Sequence, residues 1–295
     1  MNILITRHDK IGDFITALPM FKVLKEQTTH KLFALVSKIN YDFAKELDFI
    51  DEVILYQDDI FALSKTIKEK KIDISISAFI DTKLALALFL SNIPTRIAPA
   101  TKIAQIFFNK KARQRRSEVK MSEWEYNLEL LKEFDNNLKL EFKRPLLKIE
   151  SKREKIVVFH PGFGGSSDGN LNLDEYISLA NSLHDKIDIV FTFGPADDEA
   201  KEYIKSNTNF KTEDNFDSLM DFTKYLSSVK LFVSTSTGPM HLAAMTNTPT
   251  LSFFGSSLFA SDKRWQPLNS KELQSNFIAP FKIKDIQNRL LELVS

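Results

Sequence analysis

The chain has 295 residues, enough for two domains of ordinary size, and its 43% apolar content can fill a core in each. A net charge of only +1 supplies no overall field that would select nucleic acid or a membrane. Cysteine is absent, which excludes disulfides, thiolate metal sites and cysteine nucleophiles. The opening MNILITRHDK has no apolar signal region, and no apolar run approaches the ~20 residues of a membrane span, so a cytoplasmic location is expected.

In the first half, ILIT reads as a buried strand, and RHDKIGDF leads into a helix over about residues 13–26 with Phe14, Leu18, Phe21 and Leu24 at helical spacing. LFALV, VILY and ISISAF follow as strands, each succeeded by a helix, at 41–46, 60–69 and 82–90. This alternation predicts a mainly parallel sheet covered on both faces. Asp13 directly follows Gly12 in the first junction. It reads either as a first-turn aspartate, favoured by about 0.5–1 kcal/mol, or as a general base at the carboxyl edge of the sheet. Arg7, His8 and Lys10 lie beside it and favour its ionised form.

Residues 102–120 are the most basic stretch, with Lys110, Lys111, Arg113, Arg115, Arg116 and Lys120 among few acids. A solvated loop or helix face, RNA binding and docking of an anionic acceptor are the open readings, and no aromatic stacking platform supports RNA. IAQIFF just upstream is apolar enough to touch a lipid surface. A helix is expected over 122–134, then a polar, lysine-rich connection broken by Pro145, which puts a domain boundary near residue 150.

The second half opens with the strand IVVFH and the loop PGFGGSSDGN, a candidate phosphate cradle of backbone N–H groups, before a helix from about 173. IDIVFTF is the next strand; it ends at Gly194 without the acidic tip expected of a nicotinamide enzyme. Asp197 and Asp198 then start a helix, where they serve as ordinary first-turn acids or as ligands for a ribose diol. No GxxxxGK[ST] run occurs, which excludes a P-loop NTPase. After a helix at 217–226, the strand LFV runs into STSTG and a short helix carrying His241, leaving an open helix N-terminus suited to phosphate. PTLSFFG is a further strand, and 283–294 an amphipathic last helix. The 8 glycines, few against a usual ~7%, all fall at or just after strand ends, where open α/β sheets bind ligands.

Four blocks in this order, ILITRHDKIGDFITALPMFKVLK, VVFHPG, FTFGPADDEA and STGPMHLAAMTNTPTLSFFG, give the chain a resemblance to the heptosyltransferases of lipopolysaccharide core synthesis, glycosyltransferase family 9. The resemblance implies an α/β GT-B fold, two Rossmann-like domains facing each other across a cleft. Residues 1–150 would form an acceptor domain and 151–295 a nucleotide-sugar donor domain. It implies an inverting, metal-independent glycosyltransferase with no cofactor besides its co-substrate, expected to be ADP-heptose. Asp13 matches the family's catalytic base. Gly162, Ser166, Ser167, Asp198, Ser236, Thr237, Gly238 and His241 fall where the donor is held. Arg7, Lys10, Lys110, Arg113, Arg115 and Arg116 would meet the phosphates and Kdo carboxylates of a lipid A–Kdo core acceptor. The expected partners are thus a sugar nucleotide and an anionic glycolipid, with no nucleic acid, and with peripheral contact at the inner face of the inner membrane. Other readings are transfer of a different activated sugar and a catalytically silent sugar-nucleotide or glycolipid binder. Two departures motivate them. Serine stands at 236 where many members carry aspartate, and Gly169 and Leu171 occupy the positions of a family lysine and tryptophan.

Overall fold

The computed structural model describes residues 1–162 and 169–295. The chain divides into two compact units, residues 1–116 with 120–143, and residues 117–119 with 144–295.

The first unit contains β1 (Asn2–Thr6), α1 (Ile11–Gln27), β2 (Lys31–Val36), α2 (Lys38–Lys45), β3 (Glu52–Leu55), α3 (Ile60–Glu69), β4 (Ile74–Ser77), α4 (Thr82–Leu90), β5 (Thr95–Pro99), β6 (Lys110–Ala112) and α5 (Glu123–Glu129). Its six strands are parallel in the order β3-β2-β1-β4-β5-β6. The central strands are buried on both faces, which is why they read as continuous apolar runs. The helices start where short polar side chains stop the chain from continuing as strand. Asp59 accepts from the N–H groups of Phe61 and Ala62, and Asp81 from Leu84 N. Ser122 and Glu125 form a capping box at the start of α5. The basic stretch is neither a plain loop nor a helix face: it carries a 3₁₀ turn (Ile103–Phe107), the strand β6 and a second 3₁₀ turn (Arg116–Glu118).

The second unit contains β7 (Glu154–His160), α6 (Leu173–Asn181), β8 (Asp188–Thr192), α7 (Asp198–Asn207), β9 (Lys211–Glu213), α8 (Leu219–Ser228), β10 (Val229–Thr235), α9 (Gly238–Met245), β11 (Thr250–Phe254), β12 (Gln274–Ile278) and α10 (Ile283–Val294). Its sheet is also parallel and six-stranded, ordered β12-β11-β10-β7-β8-β9. Counted from its first strand, this is the same order as in the first unit. In each, the chain reverses its direction of growth between the first strand and the fourth, and the crevice at that reversal is where such sheets bind ligands. The core on the α6 and α10 side is aromatic, with Phe159 stacked on Phe191 at 5.4 Å and Tyr176 edge-on to Phe159 and Phe253.

Gly169 lies against the carboxyl end of β11. A Cβ placed there would sit 2.1 Å from both the Gly255 nitrogen and the Phe254 carbonyl carbon, so backbone would have to move. Gly169→Ala is therefore expected to destabilise the second unit by about 1–3 kcal/mol. Urea unfolding followed by Trp265 fluorescence in a Trp124→Phe background measures it, and an unchanged midpoint would contradict the close approach.

Candidate active site

The first unit's site is built on one buried cation. Arg7 follows the last residue of β1, and its side chain is only 5% exposed. Nε donates to Asp9 Oδ1 at 2.9 Å, Nη2 to Asp13 Oδ1, and Nη1 to Glu123 Oε1 at 3.3 Å and to the Ala78 carbonyl at 3.4 Å. Ala78 follows β4, so the guanidinium spans the sheet's reversal point. Glu123 is shared: Arg116 Nη1 donates to the same Oε1 at 2.5 Å and to Asn127 Oδ1 at 3.1 Å. Asn127 in turn donates to the carbonyl and hydroxyl of Thr16, whose Oγ1 donates to the Asp13 carbonyl at 2.7 Å. Two guanidinium groups and three carboxylates, Asp13 among them, thus interlock, and Asp13 stays 18% exposed at the edge of the network.

Asp13 is a first-turn residue of α1, as its position after Gly12 suggested, but its environment does more than stabilise a helix end. Burial pushes its carboxyl above the usual range. Arg7 opposes the rise, while Asp9 and Glu123 add to it. The expectation that surrounding cations would favour the ionised form holds for Arg7 alone and is outweighed. Arg7 itself is drawn down by burial and lifted further by its three carboxylates, so it stays charged.

This geometry corrects the reading of two acceptor residues. Arg7 and Arg116 point into the network, held by Asp9, Asp13 and Glu123 and by Glu123, Asn127 and Gln114. They hold the aspartate in place and are not open surface charges. Lys10 is exposed immediately before α1, and Lys110 is exposed on β6 with its Nζ on the Glu133 carbonyl. Arg113 and Arg115 are exposed beyond β6. His8 is tied off as well: its Nε2 lies 2.6 Å from Asp81 Oδ2 and its ring stacks on Tyr56 at 4.3 Å.

In the second unit, Gly162, Asp198 and residues 236–238 all follow the carboxyl ends of strands; Ser166 and Ser167 lie outside the described residues. Gly162 is glycine because the Asp197 carboxylate occupies its Cβ position, 1.9 Å away at Oδ2. That carboxylate accepts from Gly194 N at 2.7 Å and lies 4.0 Å from His160 Nε2. Asp198 is exposed as the first residue of α7. Ser236 N donates to the Phe253 carbonyl, and Thr237 precedes α9 without capping it through its side chain. Thr235 Oγ1 donates to the Gly169 carbonyl at 2.5 Å and fastens the end of the first loop beside this turn.

His241 sits in the first turn of α9 as a buried side chain. It is 2% exposed, its Nδ1 has no hydrogen-bond partner among the described residues, and burial lowers its pKa to about 4. It is a neutral imidazole at neutral pH and brings no cationic charge to a phosphate. Leu171 is 4% exposed and part of the core. Neither Gly169 nor Leu171 leaves room for a charged side chain. Among the described residues, no group of three or more His, Asp or Glu side chains is placed to hold a metal ion.

Glu123, Asn127 and Asp9 carry the network yet give no signal in the sequence. Glu123 reads there as a first-turn acid of a capped helix, 116 residues from its partner Arg7.

Both His160 and His241 are held neutral by burial, at about 4 against an ordinary 6.5. As pH falls, the unfolded chain takes up their protons first. The stability they contribute is complete above about pH 6.5 and is lost between 6.5 and 4, by up to about 3 kcal/mol each. Unfolding midpoints of the second unit should therefore fall between neutral pH and about pH 5. The fall should be smaller in His241→Asn; an equal fall would show that this group does not titrate as its burial requires.

The family model for glycosyltransferase family 9 (heptosyltransferase) matches residues 60–284. A Haemophilus influenzae protein assigned provisionally as a glycosyltransferase is 34% identical over 99% of this chain and 93% of its own length. Among solved structures, Escherichia coli ADP-heptose LPS heptosyltransferase II superposes with a TM-score of 0.83 at 17% identity, covering 100% of this chain and 98% of its own. The E. coli heptosyltransferase WaaC with ADP gives 0.77 at 18% identity, covering 99% and 100%. These likenesses give the fold as GT-B, two parallel-sheet α/β domains. On the family match and the long relative, the chain is a glycosyltransferase and belongs to glycosyltransferase family 9, the heptosyltransferase family.

Proposed function

We propose that the protein transfers a heptose from ADP-heptose to an anionic lipopolysaccharide or lipooligosaccharide core acceptor, with inversion at the anomeric carbon. The observation that carries the reading is the half-buried Asp13 carboxyl, its affinity for a proton raised by burial and its position held by Arg7, Glu123 and Asn127. Its accessible edge accepts the proton of an acceptor hydroxyl. The hydroxyl oxygen attacks the anomeric carbon, the bond from that carbon to the diphosphate oxygen breaks, and the nucleoside diphosphate leaves with the electron pair. The first unit is assigned the acceptor and the second the donor. The uncapped first turn of α9 at Ser236, Thr237 and Gly238, with Gly162 and the serines Ser166 and Ser167, is assigned the diphosphate. Asp198 is assigned the ribose. The exposed Lys10, Lys110, Arg113 and Arg115 are assigned the acceptor's phosphates and carboxylates. No cofactor beyond the sugar nucleotide is called for. A lipid-borne acceptor would bring the protein to the inner face of the inner membrane as a peripheral enzyme; among the described residues no helix is long and apolar enough to cross one.

One observation favours a second reading, a donor other than ADP-heptose or a relative that binds without turnover. The packed Gly169 and Leu171 supply no phosphate cation. Incubation with ADP-heptose, with other nucleotide sugars and with extracted core acceptor separates these. Release of ADP from ADP-heptose alone supports the first reading. Release from another donor supports transfer of a different sugar, and binding without release supports the silent binder.

Asp13→Asn should lower kcat by about 10²–10⁴-fold while leaving donor affinity within about twofold. Turnover that survives the change would remove Asp13 as the base. Glu123→Gln tests the network: the base must be deprotonated, and the Glu123 charge helps keep its pKa high. The variant should shift the acidic limb of the kcat–pH profile to lower pH and lower the plateau. A profile shifted upward or left in place would rule out the coupling.

A further inference from the structure

One long basic stretch of the chain without a single acid also exposes large apolar side chains. Residues 82–117 contain eight Lys and Arg and no Asp or Glu, in a chain whose net charge is +1. Within them, the 3₁₀ turn Ile103–Phe107 packs beside α4, with the Phe107 ring 5.7 Å from that of Phe89. Side chains three apart in a 3₁₀ turn eclipse one another, so Ile103 and Ile106 share one face. They are 82% and 67% exposed, and Phe89 next to them is 48% exposed. The anchor beneath them is firm. Ala104 and Phe108 are buried in the core cluster with Leu84 and Leu88, so the turn presents its isoleucines from a packed base. Lys111 pairs in register with Ala98, a member of that same core cluster, so it projects to the isoleucine side of the sheet, whereas Lys110 pairs with Ile97 and projects to the other. Arg113, two residues beyond Lys111, is exposed.

We infer that this face, Ile103, Ile106 and Phe89 flanked by Lys111 and Arg113, is a docking surface for an anionic lipid bilayer. Isoleucines inserted at the level of the headgroups bury apolar surface, and the neighbouring cations meet lipid phosphates. A nucleic acid would draw the cations but offers nothing to two exposed isoleucines, which have no plane for base stacking. A second copy packed face to face would set one acid-free basic segment against another. The inference sharpens the peripheral location proposed above, and it fails or stands separately from the acceptor assignment, because vesicle binding needs no sugar.

The test is co-sedimentation of the full chain with vesicles of phosphatidylcholine alone and with about one-third phosphatidylglycerol. Binding is expected to the anionic vesicles and to be weak on the neutral ones. Ile103→Glu with Ile106→Glu should lower it about tenfold or more. Lys111→Gln with Arg113→Gln should lower it about fivefold for each charge removed. Both isoleucines are solvent-exposed, so the fold tolerates the change, and Ile106→Trp gives an independent reading: its fluorescence should shift to the blue on anionic vesicles. Binding equal on both lipids, binding indifferent to the isoleucine changes, or a tryptophan that stays in water would overturn the surface. So would an Ile103→Glu, Ile106→Glu variant whose only change is loss of a dimer in sedimentation velocity. Turnover of a detergent-dispersed acceptor by the same variant should match the unaltered protein.

Discussion

The first unit depends on where a single buried charge can be satisfied. A guanidinium taken almost wholly out of water costs several kcal/mol unless it is paired and hydrogen-bonded throughout, and Arg7 has no route to solvent. The solution draws four partners from three places in the chain: Asp9 and Asp13 around the start of α1, the Ala78 carbonyl after β4, and Glu123 at the start of α5. Removing any one would leave charge uncompensated, so these elements are fixed relative to one another as a set. The arrangement is also unbalanced on purpose of chemistry. Three carboxylates surround Arg7, and the second cation, Arg116, meets the network at Glu123. The excess negative charge falls on Asp13, the member left at the edge. Shielded from water and crowded by two like charges, it binds a proton more tightly than an ordinary carboxylate, with Arg7 opposing the rise.

The two sheets share a strand order but not an electrostatic character. At the reversal point of the second unit the buried titratable groups are neutral, with His160 on Thr192 Oγ1 and His241 without a partner for Nδ1 among the described residues. The groups on offer there are backbone N–H donors at the start of α9 and small hydroxyls, as at Ser236 and Thr237. Such a surface favours an anion through aligned dipoles instead of a point charge. A lysine at Gly169 would have to displace β11 backbone, so a diphosphate bound there, as proposed, is held by the helix end without a cation from that position.

What the sequence conveyed about all this followed from burial. The central strands β1, β2, β4, β7, β8, β10 and β11 are apolar because both their faces are covered, and they were legible as strands. The strands KKA of β6, KTE of β9 and QSNFI of β12 lie at sheet margins with polar side chains, and TRIAP of β5 is interrupted by arginine and proline, so none carries a strand pattern. The same asymmetry holds at the site. Asp13 and Gly162 stood out because glycine and aspartate at a strand–helix junction have a local meaning. Arg7 did not reveal its role, since a basic residue near a site looks like a ligand until its burial is known. Glu123 could not be recognised at all, because its function lies in a contact across 116 positions.

The basic segment illustrates how strand geometry separates tasks that composition runs together. Pairing of β6 with β5 sends Lys111 to one side and Lys110 to the other. Beyond the strand, Gln114 anchors the chain through its Nε2 to the Tyr126 carbonyl at 2.6 Å, and its Oε1 accepts from Arg116 at 2.8 and 3.0 Å. The Arg116 guanidinium lies 5.6 Å from the Tyr126 ring centroid, turned inward onto Glu123. Two residues thus separate an outward cation, Arg113, from Arg116, which pairs with the Glu123 of the Asp13 network. Between them stands an anchored glutamine instead of a flexible loop. Coupling between a surface contact and a buried network requires an element with two arrangements, and this link has hydrogen bonds that favour one. The proton affinity of the candidate base should therefore be insulated from whatever the outer face of the segment binds.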